Sequence, residues 1–155
     1  MARKLRIQYP GALYHVLNRG NYKSDIFADQ GAAHAFVQTL EEAVERYGWR
    51  LGAYVVMRNH YHLALQTPEP NLAVGMHWLQ CTFATRFNRL RNERGHLFQG
   101  SNQAILLVTE QDWARAADSL HLHPLRAALR TPAPLGQFPI HTLTLLHTNL
   151  QFNGL

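Results

Sequence analysis

Two strand-like runs separated by only two polar residues constrain the folding of this chain more than any other feature. Residues 49–57, Trp-Arg-Leu-Gly-Ala-Tyr-Val-Val-Met, and 60–67, His-Tyr-His-Leu-Ala-Leu-Gln-Thr, are largely apolar, and Arg58-Asn59 between them has the size of a tight turn. The pair predicts a β-hairpin that Pro68 and Pro70 bring to an end. Further strands are expected at 12–18 and 102–109. An amphipathic helix fits 29–47, opened by Asp29 and closed near Gly48, with Phe36, Val37, Leu40 and Val44 at helical spacing. A second helix fits 71–93, from an Asn71 cap towards Gly95. A third starts near Glu110 and runs past Ser119, with Pro124 as a candidate interruption.

The order β-α-β-β-α-β-α predicts an α+β domain: an antiparallel sheet with helices packed mainly on one face, ferredoxin-like or RRM-like in outline. At 155 residues the chain has room for one domain. We place it at residues 1–130, including a basic N-terminal arm, and leave 131–155 as a C-terminal tail of unassigned role. No apolar run approaches the roughly 20 residues of a membrane span. No apolar signal region follows the charged start, so a cytoplasmic protein without membrane contact is expected. The single cysteine, Cys81, excludes an internal disulfide and a four-thiolate zinc site; it reads as a small core residue on a helix.

Thirteen arginines against two lysines give a formal charge of +5, and the planar guanidinium fork suits phosphate and base edges. An anionic partner follows, most simply nucleic acid. Arg86 and Arg89 share a helix face and could track a phosphate backbone, with Asn88 beside them for a base edge; the competing reading is a solvated face. Arg19, Asn21 and Lys23 occupy the loop after the first strand, and Arg3, Lys4 and Arg6 form the arm.

Ten histidines raise the question of which are spaced like metal ligands. Strand residues two apart point to one face, so His60 and His62 can aim both rings at one ion while Tyr61 points away. Two ligands are too few for a stable site. His121 and His123 on the third helix are candidates for the third, and two-residue spacing on a helix lets at most one of them join.

Four stretches, in order and at matching spacing across residues 10–130, carry a resemblance. They are Tyr14-His15-Val16 with Asn18-Arg19-Gly20; Tyr54-Val55-Val56-Met57-Arg58-Asn59-His60-Tyr61-His62; Gly95-His96-Leu97-Phe98-Gln99-Gly100; and His121-Leu122-His123-Pro124-Leu125-Arg126-Ala127. The chain resembles the single-tyrosine HUH transposases, especially the REP-associated group. The resemblance implies a compact α+β domain, usually a homodimer, acting on hairpin-forming single-stranded DNA. It implies a divalent ion, Mg²⁺ or Mn²⁺, bound by the histidine pair and acting on the scissile phosphate. A helix tyrosine then attacks and holds the strand as a 5′-phosphotyrosine. Arg58 and Arg126 join Arg19, Lys23, Arg86 and Arg89 as the expected DNA contacts.

Two positions depart from the family pattern. The third ligand, an Asn or Gln in the family, falls on His123, giving a set of His60, His62 and His123 that favours Mn²⁺ or a later transition metal over Mg²⁺. The catalytic tyrosine falls on Ser119, whose hydroxyl ends roughly 4 Å short of a tyrosine oxygen. No tyrosine follows Tyr61 in the chain. The resemblance therefore supports strand nicking and joining, with a non-catalytic hairpin-binding module of the same fold as the alternative. A metal hydrolase unrelated to DNA is a third reading.

Overall fold

The computed structural model describes the backbone of residues 6–130 and 141–142, and the side chains of residues 6–120. Five strands and three helices follow one another as β1 (Ala12–Arg19), a single 3₁₀ turn (Asn21–Lys23), α1 (Gln30–Tyr47), β2 (Arg50–Val56), β3 (His60–Thr67), α2 (Leu72–Arg91), β4 (Gln103–Leu107), α3 (Glu110–Arg130) and β5 (His141–Thr142). The strands lie in the order β4-β1-β3-β2-β5, and every neighbouring pair is antiparallel. This is the expected α+β class. The expected domain boundary near residue 130 and most of the tail lie outside the described residues.

Local chemistry explains the elements. The Asp29 carboxylate accepts from the Ala32 amide at 2.7 Å and caps α1, and Gly48 ends it at φ +65°, a left-handed geometry that glycine adopts without a Cβ clash. Asn71 was expected to cap α2, but its side chain makes no cap bond there. Its Oδ1 instead accepts from the Trp49 indole at 2.7 Å, and its amide donates to the Tyr47 carbonyl at 2.9 Å. The buried indole needs that acceptor more than the helix end does. Helix α3 continues through Pro124 to Arg130, so the expected interruption there does not occur; one proline removes a single amide donor from an otherwise intact ladder.

The two faces of the sheet have different coverings. Tyr14, Val16, Tyr61, Leu63 and Leu65 meet α1 and α2 through Phe36, Leu40, Met76, Leu79 and Phe83 in the main core. On the other face α3 lays Trp113 and Leu120 against Ala53, Val55, Met57 and Ala64, and Ala116 against Leu13 and Leu107. The helices thus lie mainly on one face, with α3 alone on the other. A register shift between Leu51 and Ala53 turns these two residues, which alternation would put on one face, to opposite cores; one extra residue in a strand reverses the parity beyond it. Cys81 is exposed rather than in the core, because the buried stripe of α2 runs through Leu72, Met76, Leu79, Phe83 and Phe87 and passes beside it. Among the described residues no helix is long and apolar enough to cross a membrane.

Candidate metal centre and nucleic-acid interface

Strand alternation puts His60 and His62 on the same face of β3 as Ala64, which contacts the α3 side, while Tyr61, Leu63 and Leu65 enter the main core. The two rings stand with centroids 5.2 Å apart. Each has its Nδ1 engaged. His60 Nδ1 lies 2.7 Å from the Asn59 carboxamide oxygen, which can only accept, so this contact places a proton on His60 Nδ1. His62, only 9% exposed, has its Nδ1 3.0 Å from Nε2 of His15 on β1. The His15 and His62 rings stack at 5.2 Å with 27° between their planes.

In the sequence His15 stands only within the matching stretch Tyr14-His15-Val16, with no site role assigned to it. The antiparallel register pairs Leu17 with His62 and His15 with Ala64, so His15 shares the histidine face from the adjacent strand. Among the described residues no set of three or more histidine, cysteine or carboxylate side chains is arranged to hold a metal ion. The pair supplies two imidazoles of the right donor chemistry for a divalent ion; His123, expected as the third ligand, lies outside the residues whose side chains are described.

Ser119 is half-buried on α3, directly before Leu120, which packs on Ala53, Val55, Met57 and Ala64. The helix expected to carry the nucleophile thus covers the histidine face. Tyr61 is turned away from it, fully buried, and its hydroxyl accepts from Gln80 at 2.8 Å. Burial pushes the Tyr61 phenol well above its usual range, so it stays neutral.

The basic residues divide into two groups. Arg19 pairs in register with His60 and donates to Gln99 Oε1. Arg58, at the turn before His60, bridges Asp25 at 2.7 Å. Lys23 is exposed on the 3₁₀ turn, and its carbonyl accepts from Asn59 at 3.3 Å. These three gather at the His60 end of the sheet. Arg86 instead faces α1: its guanidinium donates to both Glu42 carboxylate oxygens at 2.7 and 2.9 Å and to Thr39 at 3.1 Å. That fork holds the Glu42 carboxyl below its ordinary range. Arg89 is exposed on α2, and the Arg126 side chain lies outside the described residues. From the arm, Arg6 donates to the Asn102 carbonyl at 2.9 Å.

The Gly95–Gly100 segment docks on the end of β1. Asn21 donates to the Leu97 carbonyl at 2.8 Å, and Gln99 donates to the Arg19 carbonyl at 2.9 Å. Leu97 and Phe98 of this segment are buried. Tyr22 is left 93% exposed, with φ +52° and Lys23 at φ +59°. It stands at the rim of a cleft of about 370 Å³ that Asn88, Arg91, Arg94 and His96 also line. Non-glycine residues in the left-handed region are uncommon, and two in succession mark a loop held by its surroundings.

Fold and site together define an α+β domain with paired histidines on a central strand beneath a covering helix. Residues 8–105 match the family described as IS200-like transposases, and the chain belongs to that family. A REP-associated tyrosine transposase, solved bound to a REP hairpin, is similar in structure with a TM-score of 0.67 and 14% identity, over 82% of this chain and 74% of that one. A crystal structure of a protein from Deinococcus radiodurans R1 that carries a transposase assignment is similar with a TM-score of 0.53 and 20% identity, over 78% of this chain and 95% of that one. At these identities the likeness is one of fold. No curated protein matches the chain.

Proposed function

We propose that the chain binds hairpin-forming single-stranded DNA across the His60 end of the sheet and holds a divalent ion there, Mg²⁺ or Mn²⁺, with His60, His62 and His123 as ligands. The observation that carries this reading is the pair of rings on one strand face, each with Nδ1 engaged, beside Arg19 and Arg58. The REP hairpin bound by the structural neighbour supports the same substrate class here. When bound, the ion would polarise a phosphate oxygen as a Lewis acid. Arg19 and Lys23 would neutralise backbone charge next to it, with Arg58 shared with Asp25, so affinity should fall with salt. The Tyr22 cleft suits an unpaired base, stacked on the exposed ring. Homodimerisation and a cytoplasmic location belong to the same proposal.

Ser119 decides how far the chemistry goes. A serine hydroxyl ends roughly 4 Å short of the position a tyrosine oxygen reaches, and a misplacement of about 1 Å already costs on the order of a hundredfold in rate. The half-buried Ser119 therefore favours a protein that recognises hairpins and cleaves them poorly or not at all. Two measurements on a palindromic single strand test this: a gel shift, and a cleavage assay with Mn²⁺. We expect a shift without product. In Ser119→Tyr the phenol oxygen would attack phosphorus, the 3′ oxygen would leave with a proton, and a 5′-phosphotyrosine adduct would accumulate. A chain that shifts no hairpin at low salt refutes the binding reading. Efficient cleavage by the Ser119 protein refutes the assignment of a lost nucleophile.

A further inference from the structure

We infer that His15 is the positioning residue of the histidine centre: its Nε2 accepts a hydrogen bond from His62 Nδ1 and so fixes His62 in the tautomer whose Nε2 carries the lone pair. The inference rests on the reading of His62 as a ligand and goes beyond it, because it gives His15 a role through the His62 ring.

Geometry leaves two ways to share the proton across the 3.0 Å contact between the two rings. In one, His15 donates and His62 carries its own proton on Nε2, which could then bind no cation. In the other, His62 donates from Nδ1. Reading His62 as a ligand selects the second, and the neighbouring ring is arranged in the same way. His60 must donate from Nδ1, because the Asn59 oxygen 2.7 Å away is an acceptor. Two rings two residues apart on one strand face, with the same nitrogen tied back, present the same far nitrogen on that face. His62 is buried, so its Nδ1 proton needs a protein partner in place of water, and His15 is placed to be that partner. Stacking at 27° between planes also limits rotation of the His62 ring. Outer partners of this kind typically change metal affinity by about ten- to a hundredfold when removed.

The test uses two substitutions that separate the hydrogen bond from packing. His15→Phe keeps the flat ring and loses the acceptor. His15→Gln loses the ring and can place an amide oxygen close to the old Nε2 position. Nitrogen-15 NMR of the metal-free full chain reads the His62 tautomer directly, and calorimetric titration with Mn²⁺ reads affinity. We expect the Nδ1–H tautomer at His62 in the parent protein and in His15→Gln. In His15→Phe we expect a mixture of tautomers and about tenfold weaker Mn²⁺ binding. A His62 found in the Nε2–H form in the parent protein overturns the inference. So does His15→Phe that binds Mn²⁺ as tightly as the parent, or His15→Gln that is the weaker of the two, which is the order packing alone would give. A parent protein with the Nδ1–H tautomer and no Mn²⁺ affinity refutes the metal centre and leaves the hydrogen-bond direction standing.

Discussion

A methyl group at Gly52 should loosen the helix that carries Ser119. An alanine Cβ there would fall 2.1 Å from Cζ2 and 2.5 Å from Cη2 of Trp113, far inside contact. Trp113 packs both on the group formed by Ala53, Val55 and Ala64 and on the group formed by Leu13 and Leu107, so the indole has neighbours on two sides. Relief then requires either a new rotamer for a half-buried indole or an outward shift of α3. Overpacking of this kind costs about 1–3 kcal/mol. Near 2 kcal/mol, a chain of this size should lose about 4–8 °C in Tm. The assay is urea and thermal unfolding of the parent protein, Gly52→Ala, Trp113→Leu and the double variant. If the clash sets the cost, the alanine penalty should fall below about 1 kcal/mol once the indole is gone, giving a coupling of at least 1 kcal/mol. An alanine penalty of equal size in both backgrounds would show that it arises in the strand backbone at the register shift and not from helix docking.

Other outcomes follow from single contacts. Tyr61→Phe removes the hydroxyl that accepts from Gln80; it should cost about 1 kcal/mol of stability by urea titration and leave Mn²⁺ affinity unchanged, since the ring lies on the far face of β3. Glu42→Gln should flatten the acid limb of stability. The Arg86 fork lowers the folded-state pKa of Glu42, so its contribution is present above the unfolded carboxyl range and is lost as pH falls through the depressed value. The pair is exposed, so the effect on urea midpoints between neutral pH and pH of about 3 should be small. Tyr22→Ala should weaken binding of a hairpin with single-stranded flanks by about tenfold, in keeping with one lost base stack, and leave a blunt hairpin unaffected; fluorescence anisotropy distinguishes the two. Arg19→Ala should reduce the salt dependence of hairpin binding more than Arg86→Ala, because Arg86 is occupied by Glu42.

The features that could be read in the sequence were those set by near neighbours in the chain. The β2–β3 hairpin follows from two runs and a two-residue turn, and α1 from Asp29, its apolar spacing and Gly48. The common face of His60 and His62 follows from the period of a strand alone. What escaped depends on pairings between distant residues. His15 joins His62 only because β1 and β3 align in one particular register across 47 residues of chain. The diversion of Asn71 from capping to Trp49 needs the fold, as does the exposure of Cys81. The strand parity beyond Gly52 reverses because of an insertion that alternation counts cannot reveal. The arginines show the same limit: helical spacing correctly gives Arg86 and Arg89 neighbouring positions on α2, but only tertiary structure shows Glu42 and Thr39 taking the Arg86 fork.

The arrangement separates two tasks that a nicking enzyme needs together. His15, His60, His62, Arg19 and Arg58 belong to β1, β3 and the turn before β3, so the anchoring of the two rings and the positive edge are built by the sheet and its loops. Ser119 belongs to α3, which adds to the opposite face from the main core through Trp113, Ala116 and Leu120. A change at Ser119 should therefore leave the Nδ1 contacts of His60 and His62 intact, and leave Arg19, Lys23 and Arg58 where they are. Physically, loss of the attacking tyrosine does not require loss of hairpin recognition. On the proposed reading, binding without cleavage needs one side-chain change and no rearrangement of the sheet, and for the same reason Ser119→Tyr is the single substitution from which cleavage should return.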